Sequence, residues 1–100
     1  MPFIILAYDK PDTERLRADL RPQHIAYLSA RQGQLLAGGA VLDDDGKAIG
    51  GMIIVDTEDR ATAERFAGDD PFTTGGVFGS IRVLPWRRSF FDRQRIPVLG

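Results

Sequence analysis

Phe3-Ile4-Ile5-Leu6-Ala7-Tyr8, halted by Asp9-Lys10-Pro11, is the stretch that decides the fold. A continuous run of apolar, β-forming residues ended by an Asp-Lys-Pro break reads as a strand followed by a turn. Side chains alternate along a strand, so Phe3, Ile5 and Ala7 point one way and Ile4, Leu6 and Tyr8 the other. Both faces are apolar. Such a strand needs cover on each side.

Beyond the turn, Asp12 or Thr13 can cap a helix that carries Glu14 in its first turn and Leu16 and Leu20 at i, i+4. Proline is tolerated at the start of a helix but not inside one, so Arg21-Pro22 predicts a helix broken near residue 21. Its pattern resumes through Ile25, Tyr27 and Leu28 to Gly33. Residues 35–42 read as a second strand despite Gly38-Gly39 in its interior. Asp43-Asp44-Asp45-Gly46-Lys47 is a turn, and residues 49–55 complete a hairpin. Thr57 is expected to cap a helix over residues 59–67, with Ala63, Phe66 and Ala67 inward and Gly68 as its stop. Asp69-Asp70-Pro71-Phe72 forms a rigid exit, Gly75-Gly76 a turn, and residues 77–86 a last strand. The expected domain covers residues 1–90. Residues 91–100 follow as a C-terminal tail, the chain there packing partly through Phe90 and Phe91.

The order β-α-β-β-α-β predicts an α+β, ferredoxin-like fold, a four-stranded antiparallel sheet with two helices on one face. Two helices cover only one side of the first strand. The other side is expected to meet the same face of a second copy, giving a sheet-to-sheet homodimer.

Composition narrows the function. The 100 residues carry 13 Lys plus Arg against 14 Asp plus Glu, and 43% are hydrophobic. No apolar run approaches the ~20 residues that span a bilayer, and no signal segment is visible, so a cytoplasmic protein with no membrane partner is expected. There is no cysteine and only one histidine, which removes thiol nucleophiles, cysteine zinc sites and three-histidine metal sites within one chain. The near-zero net charge argues against a nucleic-acid partner. Arg82, Arg87, Arg88, Arg93 and Arg95 face only Asp92, a pattern read as a solvated edge.

Several tempting motifs fail. With Gly46 at position six of a calcium loop, Val41 and Met52 would stand at positions one and twelve, where carboxylates are required. No glycine pattern fits a dinucleotide or phosphate loop. Gly79-Ser80 lacks the second glycine of a nucleophile elbow. His24 remains, on the helical stripe of Leu16, Leu20, Tyr27 and Leu28 and therefore aimed at the sheet. It is either a core histidine satisfied by a carbonyl or a poised acid-base group held by a carboxylate. Asp70, before Pro71, is the best candidate for that carboxylate, and its plainer role is that of a helix-exit turn.

Ala7-Tyr8-Asp9-Lys10, Arg21-Pro22-Gln23-His24-Ile25-Ala26-Tyr27-Leu28, Gly33-Gln34-Leu35-Leu36-Ala37-Gly38, Asp69-Asp70-Pro71-Phe72 and Val83-Leu84-Pro85-Trp86, in that order, resemble the YciI-like (YCII-related) family. The resemblance covers residues 3–90. It implies a ferredoxin-like fold of the dimeric α+β barrel type and an active-site pair at His24 and Asp70. A related dehydrochlorinase that acts on a chlorinated hydroxyquinol uses such a pair. Gly38-Gly39-Ala40 departs from the family's frequent Gly-Pro at this point, so the substrate does not carry over.

The expected function is a small cofactor-independent lyase or isomerase that moves a proton on a small cyclic or aromatic acid. In that reading Arg21 pairs with the substrate's carboxylate or phenolate. Structural pairing of Arg21 with Asp9 or Asp12 is the alternative. Tyr8, Phe72 and Trp86 are expected to wall the pocket. The competing function is a non-catalytic dimeric ligand-binding or accessory module.

Overall fold

β1 (Phe3–Asp9) is an inner strand of the sheet. In the computed structural model, which describes residues 1–97, α1 (Glu14–Ala30), β2 (Leu35–Leu42), β3 (Ala48–Val55), α2 (Arg60–Asp69), α3 (Pro71–Thr74) and β4 (Phe78–Pro85) follow in turn. The four strands form one antiparallel sheet in the order β2-β3-β1-β4. This is the α+β, ferredoxin-like arrangement expected from the sequence. No helix is long and apolar enough to cross a membrane among the described residues.

Register assigns the faces. Ile5 lies opposite Ile53 on β3 and Val83 on β4, and Ala7 lies opposite Gly51 and Ile81. Phe3, Ile5 and Ala7 are buried, and Ile5, Ile53 and Val55 form a core with Phe66 and Ala67 of α2. Tyr27 and Leu28 of α1 pack against its edge. The opposite face carries Ile4, Leu6 and Leu84, half-buried, with Tyr8 and Met52 exposed.

Several local expectations change. Pro22 sits inside one uninterrupted α1 rather than at a break. Pro22 and Ala18, four residues earlier, are both exposed, so water can replace the amide that proline lacks. α2 is capped by Asp59, not Thr57: the Asp59 carboxylate accepts from the Thr62 amide at 3.2 Å and the Thr62 hydroxyl at 2.7 Å. These hydrogen bonds hold the Asp59 carboxyl below its usual range. Gly68 lies within α2, which runs on to Asp69. The segment after β4 forms a short hairpin of β5 (Phe90–Phe91) and β6 (Gln94–Arg95), in which Phe91 is half-buried and Phe90 is 72% exposed. Phe90 therefore does not pack. The end of the expected tail, residues 98–100, lies outside the described residues.

Candidate active site

The two helices cover the same sheet face unequally. α2 buries Ala63, Phe66 and Ala67, whereas none of the 17 residues of α1 is fully buried. Between α1 and the sheet lies a cleft of about 190 Å³. Its lining includes Arg17, Arg21 and His24 from α1, Gly38 and Gly51 from the sheet, and Asp70 and Phe72 from the segment after α2.

Asp70 owes its position to local chemistry. It ends α2 and caps α3, its Oδ1 accepting from the Phe72 amide at 2.9 Å, while Pro71 supplies the backbone angle that suits a first helical position. The Asp-Pro pair read as a plain exit thus starts a further turn of helix. His24 Nδ1 lies 2.7 Å from the same Oδ1, with side-chain exposures of 14% for His24 and 3% for Asp70. The imidazole is also held by its face: it stacks on the Phe72 ring with centroids 3.9 Å apart and planes 12° from parallel. Phe72 is buried and braced edge-on by Phe78. Two contacts of different kinds therefore fix the ring. With Asp70 ionised, Nδ1 carries the hydrogen that the carboxylate accepts, and in the neutral ring Nε2 then presents a lone pair.

Arg17 is the cleft residue that sequence reasoning missed. Asp9 continues the inward face of β1, and Arg17 Nη1 donates to both its carboxylate oxygens at 2.9 Å while Nη2 donates to the Gly50 carbonyl at 3.1 Å. The guanidinium also lies 4.6 Å from the Phe72 ring centre. Asp9 is thus committed to Arg17 and not to Arg21, one helical turn later. Arg21 is exposed at the cleft and has no ion pair recorded among the described residues. The signal for Arg17 was its i, i+7 spacing from His24, which returns it to the same helix face.

Of the aromatic residues expected in the wall, only Phe72 is there. Tyr8 points to the opposite sheet face and is 45% exposed. Trp86 follows β4 at the far end of the sheet, where its amide donates to the Pro2 carbonyl at 2.8 Å. Neither lines the cleft. No group of three or more metal-ligating side chains occurs among the described residues.

Comparison with known proteins gives the family. A model of the YCII-related domain matches residues 1–87. The chain belongs to the YCII-related family. It is 32% identical over 98 residues to Protein YciI of Escherichia coli O6:H1, covering 90% of this chain and all of that one. It is 31% identical, with the same coverage, to an uncharacterized protein of Haemophilus influenzae. Among solved structures, this YCII-related chain is similar to the 5-chloro-2-hydroxyhydroquinone dehydrochlorinase of Burkholderia phenoliruptrix AC1100, determined in complex with 2,5-dihydroxybenzoquinone. The TM-score is 0.80 and the identity 30%, over 87% of this chain and 94% of that one.

Proposed function

We propose that this chain is a small cofactor-independent enzyme of lyase or isomerase type that moves a proton on a small cyclic or aromatic acid. His24 is the base and Asp70 the residue that orients it. The observation that carries this reading is the 2.7 Å contact between His24 Nδ1 and Asp70 in the wall of the cleft. The volume of about 190 Å³ suits one ring, since a cavity of roughly 150 Å³ already admits benzene. The solved relative is named for removing chloride from a hydroxylated ring, which supports the same class of chemistry.

In the proposed step Nε2 takes a proton from the substrate, and the imidazolium is stabilised by the Asp70 carboxylate. In an elimination the electrons of the broken bond expel an anion. In an isomerisation the proton returns to another atom. Arg21 meets the substrate's carboxylate or phenolate with its planar fork, and Phe72 backs the His24 ring from behind.

Chloride release from 5-chloro-2-hydroxyhydroquinone tests the reading. The wild type is expected to accelerate it, while His24→Ala and Asp70→Asn keep the fold and lose roughly 100-fold or more in rate. Chloride release by the wild type with unchanged rates in both variants rejects the reading, and a wild type inactive on this ring removes the chlorinated substrate from it.

The partner in this reading is a second copy, seated on the helix-free face where Tyr8 and Met52 are exposed beside half-buried Ile4, Leu6 and Leu84. Light scattering at micromolar concentration should give twice the 11.1 kDa of one chain. A stable monomer removes the dimer.

A further inference from the structure

Gly50 and Gly51 are neighbours on β3 with different reasons to be glycine. A Cβ on Gly50 would run into the Ala7 carbonyl, so strand packing alone demands glycine there. Gly51 has no such constraint. A Cβ on it would meet only the Gly39 carbonyl oxygen, at an ordinary 3.6 Å, and its φ is not among the positive values of the chain. Gly51 lies opposite Ala7 on β1 and Ala40 on β2, on the inward face, and it lines the cleft. Gly38, also in the lining, is equally free: its Cβ would rest 3.6 Å from Ile53 Cγ1. Glycine inside a strand weakens it, so a glycine that neither backbone angle nor neighbouring atoms require is a cost without a return in folding.

We infer that Gly51, supported by Gly38, is a specificity-determining position whose missing side chain keeps the cleft deep enough for a flat, single-ring ligand. The inference rests on the ring-binding reading of the cleft given above. A methyl group at position 51 occupies cleft space and no space that the fold uses. It should therefore separate stability from binding, which few substitutions do.

The test measures melting temperature and calorimetric affinity for 2,5-dihydroxybenzoquinone on the full chain. Gly51→Ala should leave Tm unchanged or raise it by roughly 2 to 6 °C, and weaken binding about tenfold or more. Gly51→Val should weaken binding further, and Gly38→Ala should resemble Gly51→Ala. Gly68→Ala, in α2 and away from the cleft, should raise Tm without changing affinity. Wild-type affinity in both Gly51 variants overturns the inference, as does a lowered Tm in Gly51→Ala, which would assign the glycine to the fold. If the wild type binds and His24→Ala weakens binding while the Gly51 variants do not, the inference alone fails. If the wild type does not bind, the ring-binding reading fails with it.

Discussion

The halves of the helical layer beneath α1 and beneath α2 are built from the same sheet yet packed differently. Under α2, Val55 and Ile53 meet Phe66 and Ala67, and all four are buried. Under α1, the sheet offers Gly38 and Gly51, and the helix answers with Arg17, Arg21 and His24. One half spends its side chains on a core; the other leaves a cleft and lines it with groups that can carry charge. The difference shows how a short chain can keep a cleft without losing its fold: the buried packing lies under α2, and the cleft opens under α1 with Asp70 at the end of α2 closing it.

The contrast can be broken at its strongest point first. Phe66→Ala removes a 5% exposed ring from the core and should cost about 3–5 kcal/mol in chemical denaturation. Ile25→Ala, on α1 at the cleft and 40% exposed, should change stability by no more than about 0.5 kcal/mol. Equal costs at the two sites would mean that α1 is packed like α2, and the cleft would lose its physical basis.

A smaller effect sharpens the contrast at the seam between the halves. Tyr27 of α1 donates its hydroxyl to the Phe66 carbonyl of α2 at 2.8 Å, and its ring meets Phe66 edge-on. Tyr27→Phe should cost about 1 kcal/mol. Burial pushes the Tyr27 phenol above its ordinary value, so the folded state favours the neutral form. That contribution is complete below the unfolded tyrosine value of about 10 and is lost as pH rises through the higher folded value. Alkaline titration of stability should therefore decline less steeply in Tyr27→Phe than in the wild type.

The same division explains what could be read in the sequence. The strands were legible because Phe3 to Tyr8 alternates between two apolar faces and Asp, Gly and Pro mark the ends. The inward residues of α2 were legible because burial follows helical period, and Ala63, Phe66 and Ala67 all proved buried. α1 was harder. With no buried residue it has no core stripe to override Pro22, whose missing hydrogen bond the exposed side of the helix absorbs. His24 and Asp70 were legible as candidates because each sits beside a strong local signal, the sole imidazole and an Asp-Pro turn. The Asp9–Arg17 pair was not, because it depends on which turn of α1 passes over the end of β1, and residue spacing alone left Arg21 as good a partner. Tyr8 and Trp86 were drawn toward the pocket by their chemistry, while strand alternation and the far end of β4 place them elsewhere.

The central claim is that Asp70 fixes the His24 ring so that Nε2 serves the cleft. Nitrogen-15 NMR tests it directly, since the chain has a single histidine and the two ring nitrogens give the only imidazole signals. In the neutral ring the account predicts a protonated Nδ1 and a bare Nε2, and addition of 2,5-dihydroxybenzoquinone should shift the Nε2 signal most. In Asp70→Asn the preference for the Nδ1 proton should weaken. A wild-type ring with its proton on Nε2, or a ligand that binds and moves neither nitrogen, would contradict the account.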